Sequence, residues 1–341
     1  MKKKKVLFIV EAMGGGVFTY IVDLANELAN KYEIYIAYAI RKQTPDNYRD
    51  YFDKRVHLIK VHNFTRSINP SKDIAGFFEI RQIAKKVEPD IIHLHSSKAG
   101  VLGRLAFDGK NIPLFYTPHG YSFLMQNSSA IKRAIYKIIE VFCGKRRCTT
   151  ISCSAGENEE SKRLTANAVY VNNAINTVDL KNMLAEVQKE QHKFTVFTLG
   201  RICYQKNPSL FNSIAEAMPD IQFLWIGDGE LREELTAPNI KITGWAERKD
   251  ALKYSVNADV FLLPSLWEGL PMSLLEAMYM EKPCVVSNVI GNKDVIHNND
   301  NGYVCDSVEE FVKAIREIKD GKAQISGMKN AEEAENLAST I

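Results

Sequence analysis

Apolar runs alternate with stretches of helical periodicity along the whole chain, and most of the runs end at glycine, proline or a charged turn. Val6 to Val10 is the first, an unbroken apolar run of the kind buried on both faces of a parallel sheet. Glu11-Ala12-Met13-Gly14-Gly15-Gly16-Val17 follows, and then a helix predicted from about Phe18 to Asn30. Further strands are predicted at Asp90 to Leu94, Leu114 to Thr117, Thr149 to Cys153 and Val169 to Asn172, so the first half holds a sheet of its own. The second half repeats the rhythm with five runs: Phe194 to Leu199, Ile221 to Ile226, Ile240 to Thr243, Asp259 to Leu263 and Pro283 to Ser287. Strands that alternate with helices imply βαβ units, hence an α/β chain with parallel sheets. The uniformly polar stretch Glu186 to Lys193 separates the two sets. The 341 residues therefore divide into a first domain over 1–180, a linker over 181–193, a second domain over 194–328 and a helical tail over 329–341.

The strand ends carry the candidate chemistry. Three glycines at 14–16 let backbone approach a ligand closely, and the helix after them offers free amides. Their spacing is neither the Walker loop nor the dinucleotide fingerprint, which argues against a dehydrogenase. In the second half, Gly200-Arg201 closes a strand and Lys206 follows five residues on, cations at the edge where open α/β sheets bind ligands. Gly227-Asp228-Gly229-Glu230 and Gly244-Trp245 close the next two strands. The segment Pro264 to Glu276 puts Glu268 in a loop and Glu276 in a helix that starts near Pro271. The backbone from Gly269 through Leu270 and Pro271 to Ser273 suits a phosphate, and the two carboxylates suit sugar hydroxyls. In the first half His119 follows a strand and precedes a glycine, whereas His93 and His95 read as structural. Each of these features, taken alone, can also be read as solvated surface charge or a tight turn.

Taken in order, Gly200-Arg201 with Lys206, Gly227-Asp228-Gly229, Gly244-Trp245, and Glu268 with Glu276 resemble the donor half of retaining GT-B glycosyltransferases of family 4. The resemblance extends over roughly the whole chain. It implies two Rossmann-like parallel-sheet domains facing a central cleft, and transfer of a hexose-type sugar from a nucleotide diphosphate sugar, expected to be UDP-linked. It implies that Gly200, Arg201 and Lys206 bind the donor diphosphate, that Glu268 contacts the transferred sugar, and that Glu276 holds the ribose. The base would lie near Gly244 and Trp245. Gly15 and Gly16 would lie against donor phosphates and acceptor, and His119 would contact the donor sugar. His119, Glu268, Arg201 and Lys206 are thus the expected catalytic group. Asn172-Asn173-Ala174-Ile175 resembles the family's Asn-Gly-Ile turn, with Ala174 in place of glycine. Residues Lys329 to Ile341 look helical and are short for the long closing helix of such folds. The acceptor implied is a glycan or lipid-linked glycan of surface polysaccharide synthesis, and no metal is required, since no Asp-x-Asp motif is present. A nucleotide-sugar epimerase of the same architecture and a non-catalytic nucleotide-sugar-binding protein remain as alternatives. Lys206→Ala is expected to lower turnover with little change in folding.

Charge and cysteine content refine the picture. The net charge of +3 is modest but clustered, at Lys2 to Lys5 and across Ile131 to Arg147. In the latter, Ile131, Ile135, Ile138, Ile139 and Phe142 recur at helical spacing beside Lys132, Arg133, Lys137, Lys145, Arg146 and Arg147. Such a helix can lie on anionic lipid or pack its apolar stripe on the domain core. Neither cluster is interleaved with stacking aromatics, which argues against nucleic acid. Six cysteines without a Cys-x-x-Cys spacing point to reduced thiols, and no run approaches about 18 apolar residues. The expectation is a cytoplasmic protein, peripheral on the inner membrane face through Ile131 to Arg147.

Overall fold

The computed structural model describes residues 3–65, 67–323, 325 and 327–339. Lys2 of the first basic cluster and residues 340–341 of the tail lie outside the described residues. The chain divides into two units, Met1–Val171 and Asn172–Ile341.

The first unit runs β1 (Lys5–Met13), α1 (Gly15–Leu28), β2 (Glu33–Ile40), β3 (His57–Lys60), α2 (Pro70–Val87), β4 (Ile91–His95), α3 (Ser97–Ala106), β5 (Leu114–Thr117), α4 (Ala130–Gly144), β6 (Thr149–Ser152), α5 (Ala155–Lys162) and β7 (Ala168–Tyr170). Its strands pair in parallel in the order β3-β2-β1-β4-β5-β6-β7. Side chains of β1 alternate across the sheet: Leu7 and Ile9 join one core, while Phe8 and Val10 join the other. Both faces are buried, which is why Val6 to Val10 reads as a continuous apolar run. Helix α1 starts at Gly15, three residues before the predicted Phe18. Gly15 sits at φ +58, a conformation that costs glycine nothing, and so opens the helix directly out of the strand.

The second unit runs α6 (Thr177–Ala185), β8 (Thr195–Leu199), α7 (Pro208–Glu216), β9 (Gln222–Ile226), β10 (Ile240–Ile242), α8 (Arg248–Val256), β11 (Val260–Leu263), α9 (Met272–Tyr279), β12 (Cys284–Ser287), β13 (Gly302–Cys305), α10 (Val308–Lys319) and α11 (Gly327–Ser339). Its parallel order, β10-β9-β8-β11-β12-β13, reverses direction between β8 and β11. Chain leaving the carboxyl ends of those two strands borders the crevice in which doubly wound sheets hold ligands. In the first unit the equivalent reversal lies between β1 and β4. A core of Phe211, Phe223, Trp225 and Phe311 backs the second sheet, and α11 packs on α9.

Three strands were not predicted. β3 has only two apolar residues between a histidine and a lysine, β13 opens at a glycine, and β2 follows α1 without a glycine or proline to separate them.

Candidate active site

In the second unit the switch point collects the expected donor-binding charges. Arg201 leaves β8 and puts its guanidinium Nη2 2.6 Å from Glu230 Oε1. Its Nε is buried and has no hydrogen-bond partner among the described residues, an unspent donor that is costly to leave inside a protein. Lys206 Nζ lies 2.6 Å from Glu268 Oε1, and Glu268 is only 6% exposed. The intervening Gln205 joins the two strand exits. Its side-chain amide donates to Trp267 O (2.9 Å) and Glu268 Oε2 (3.3 Å), and its carbonyl accepts from Leu266 N (2.8 Å).

The Gly227-Asp228-Gly229 turn packs directly on this loop. A Cβ on Gly227 would stand 2.2 Å from Gly200 O, and one on Gly229 would stand 2.1 Å from Ile202 O. These two glycines are therefore fixed by backbone packing and bring Glu230 to Arg201. Gly244, paired across an isolated bridge with Gly227, leaves Trp245 63% exposed.

Helix α9 begins after Pro271 with neither a side-chain cap nor an acidic residue in its first turn, so nothing on the helix neutralises its positive end. Gly269, Leu270 and Pro271 are buried, and Leu270 O accepts from Asn173 Nδ2 at 2.7 Å. Ala174 accompanies it in the interior, away from the positive-φ residues that would demand glycine. Glu276, 5% exposed on α9, places Oε1 2.7 Å from Arg248 Nη2 at the start of α8.

In the first unit the carboxyl ends of β1, β4 and β5 gather a second cluster. His119, at φ +54 just past β5, shares a hydrogen bond between its Nε2 and His95 Nδ1 (3.1 Å). His93 Nε2 meets Thr117 Oγ1 at 2.9 Å, and Tyr20 from α1 packs edge-on against His119. Burial holds His93 and His119 down, to about 3, and holds fully buried His95 well below its usual range. His119 is therefore a neutral hydrogen-bonding group at ordinary pH. A Cβ on Gly15 or Gly16 would meet nothing within 4 Å, so packing does not require glycine at either place.

Helix α4 turns Glu140 and Cys143 inward, where Arg104 Nη2 holds Glu140 Oε2 at 2.7 Å and Tyr116 donates to Oε1 at 3.1 Å. Ile131, Ile135, Ile138 and Phe142 face outward, 48–75% exposed. Ile139 is half-buried, so most of the stripe, though not all of it, is turned away from the core.

Two family models divide the chain between them: "Glycosyltransferase Family 4" matches residues 14–179 and "Glycosyl transferases group 1" matches residues 193–320. An Escherichia coli relative, UDP-Gal:alpha-D-GlcNAc-diphosphoundecaprenol alpha-1,3-galactosyltransferase, is 33% identical over 304 residues, 80% of this chain and 77% of the relative. The chain belongs to glycosyltransferase family 4. Solved structures give its fold. Sucrose-phosphate synthase from Thermosynechococcus elongatus matches with a TM-score of 0.81 at 16% identity, over 98% of this chain and 95% of that one. Anabaena HepE in complex with UDP and glucose matches with a TM-score of 0.73 at 15% identity, over 99% and 95%. The fold is thus GT-B, with two parallel-sheet α/β units.

For a family 4 glycosyltransferase the sequence reading omitted three polar residues of the second unit: Gln205, Glu230 and Arg248. Gln205 and Glu230 sit in the very turns singled out, next to Lys206 and Gly229. Arg248 had no such signal, because it meets Glu276 only through the approach of α8 to α9. In the first unit His95, read as structural, proves to be the hydrogen-bond partner of His119.

Proposed function

We propose that this glycosyltransferase moves a hexose from a UDP-sugar to a lipid-linked glycan in surface polysaccharide synthesis, with retention of anomeric configuration. The observation that carries the reading is Arg201 at the β8–β11 switch point, with a buried Nε donor unspent and Lys206 close by in the same loop. A diphosphate is the ligand that uses a forked cation, a point charge and the uncapped positive end of α9 together. In this reading Glu276 accepts from the ribose hydroxyls, Glu268 from the transferred sugar, and the base lies at Gly244 and exposed Trp245. His119 acts as a neutral hydrogen-bonding contact to the sugar. The amides at Gly15 and Gly16 approach phosphate or acceptor.

Bond cleavage leaves negative charge on the departing diphosphate and positive charge near the anomeric carbon. Arg201, Lys206 and the α9 amides stabilise the first, and the diphosphate oxygen thereby held next to the anomeric carbon takes the acceptor's hydroxyl proton. The E. coli relative's lipid diphosphate acceptor supports a lipid-linked acceptor here. We propose that α4 lies on anionic lipid, its exposed isoleucines at the surface and its lysines and arginines on the headgroups.

Calorimetry with uridine, guanosine and adenosine diphosphates and their sugars tests the donor. Selective uridine binding that Glu276→Ala weakens is expected, and binding of no nucleotide would remove the proposal. Incubation with UDP-hexoses and a lipid diphosphate glycan then tests transfer, and an α-linked product from an α-linked donor is expected. An epimerised nucleotide sugar without acceptor consumption would point instead to the epimerase.

A further inference from the structure

His119 and Gly120 both lie in the left-handed region, at φ +54 and +88, immediately after β5. Two consecutive residues there need an external hold, because one of them carries a side chain and positive φ is uncommon for any residue but glycine. Glu157 supplies it. This side chain is fully buried at 0% exposure in the first turn of α5. Its Oε1 accepts from the Gly120 amide at 2.7 Å. Its Oε2 accepts from the Cys153 amide at 2.8 Å and the Cys153 thiol at 3.1 Å. Ser154 caps α5 by accepting from Glu157 N at 3.1 Å, and Ser161 Oγ donates to Glu157 O at 3.1 Å, so the residue is fixed at its own backbone. The sequence Ser154-x-x-Glu157 looks like a capping box, whose glutamate would normally turn back to the cap residue's own amide. Here the carboxylate instead spans from the β6 exit to the β5 exit.

We infer that Glu157 is a positioning residue for sugar transfer, holding the His119-Gly120 backbone so that the imidazole faces the donor sugar. The inference rests on the role proposed for His119. Both carboxylate oxygens receive N–H donors, so glutamine at this position must turn an amide N–H toward one of them and release it. Glu157→Gln should then loosen the turn without changing its size.

The decisive comparison is kcat and KM for Glu157→Gln, His119→Ala and the double variant, with UDP binding measured on each. Glu157→Gln is expected to lower kcat at least tenfold, to leave UDP affinity within twofold, and to cost almost nothing further once His119 is alanine. Additive losses in the double variant, or an unchanged kcat in Glu157→Gln, would overturn the positioning role. If His119→Ala itself left kcat unchanged, the role of His119 would fall first, and the two failures are thereby distinguishable. A second measurement stands even if Glu157→Gln does not fold. In the wild type, hydrogen exchange at the Gly120 amide should be slow, as for a buried hydrogen-bonded group, and exchange at the rate of an exposed loop would overturn the clamp.

Discussion

Lys206 and Glu268, the cation expected on the donor diphosphate and the carboxylate expected on the sugar, are bonded to each other at 2.6 Å. The pair is largely out of water, with side-chain exposures of 16% and 7%. This bears on the expectation that Lys206→Ala would leave folding almost unchanged. Removing the lysine strands a buried carboxylate with Gln205 as its remaining side-chain donor among the described residues, a change that costs about 2 kcal/mol. Urea unfolding of Lys206→Ala should therefore show a lowered midpoint alongside the loss of turnover. Adding Glu268→Gln should recover much of the stability and none of the activity. An unchanged midpoint in Lys206→Ala would mean that the pair contributes nothing net to stability.

Arg201 and Glu230 give the opposite sign. Their contact is at the surface on the glutamate side, 54% exposed, so it is worth less than about 1 kcal/mol. Glu230 nevertheless occupies the guanidinium that a diphosphate would take, and an incoming diphosphate must also work against its negative charge. Glu230→Gln should bind UDP about 2–5-fold more tightly, and the gain should shrink as salt rises. Weaker binding in the variant would mean that Glu230 orients Arg201 for the ligand and does not compete with it.

The sheets, and most residues of the candidate site, were legible because their signals are local. Apolar runs such as Val6 to Val10 and Val260 to Leu263 are buried on both faces and read as strands without reference to anything distant. Gly200, Arg201, Lys206, Glu268 and Glu276 stood out because strand ends and helix starts leave marks in glycine, proline and charge. What escaped depends on packing between elements far apart in the chain. Arg248 reaches Glu276 from another helix, and Glu157 reaches Gly120 across 37 residues. The orientation of α4 escaped for a related reason. Its apolar stripe has the periodicity of a core face, and only the buried Arg104–Glu140 pair, on the other side of the helix, reveals which face turns inward.

Acid should weaken the first unit selectively. His93 and His119 take up a proton only near pH 3 in the folded state and near 6.5 when unfolded, and His95 is shifted the same way. Below pH 6.5 the unfolded chain therefore binds more protons than the folded one, so stability falls as pH falls. Each ring contributes up to about 1.4 kcal/mol per pH unit in that window. Most carboxylates whose pKa values are depressed act only below about pH 4.5, which leaves the interval from 6.5 to 4.5 to the histidines. Unfolding followed separately in the two units should show the midpoint of the first dropping across this interval while that of the second holds. A parallel decline of both would assign the acid sensitivity elsewhere.

Membrane attachment through α4 predicts a separation of binding from stability. Ile131, Ile138, Lys132 and Lys137 are exposed, so substituting them should change stability by no more than about 0.5 kcal/mol. On anionic lipid each nearby cation is worth about 1 kcal/mol, so exchanging Lys132, Lys137 and Arg146 for glutamine should weaken binding to anionic vesicles about a hundredfold at low salt. Ile138→Asp should act without removing a cation, by placing charge where the apolar stripe meets the acyl boundary. Transfer to a short-chain, water-soluble acceptor should be unaffected in all of these variants, because none of them touches a residue assigned to the donor or to His119. Vesicle sedimentation measures the first effect and acceptor kinetics the second. Equal binding of wild type to neutral and anionic vesicles, or activity lost equally on soluble and lipid acceptors, would show that the outward face of α4 serves something other than an anionic membrane.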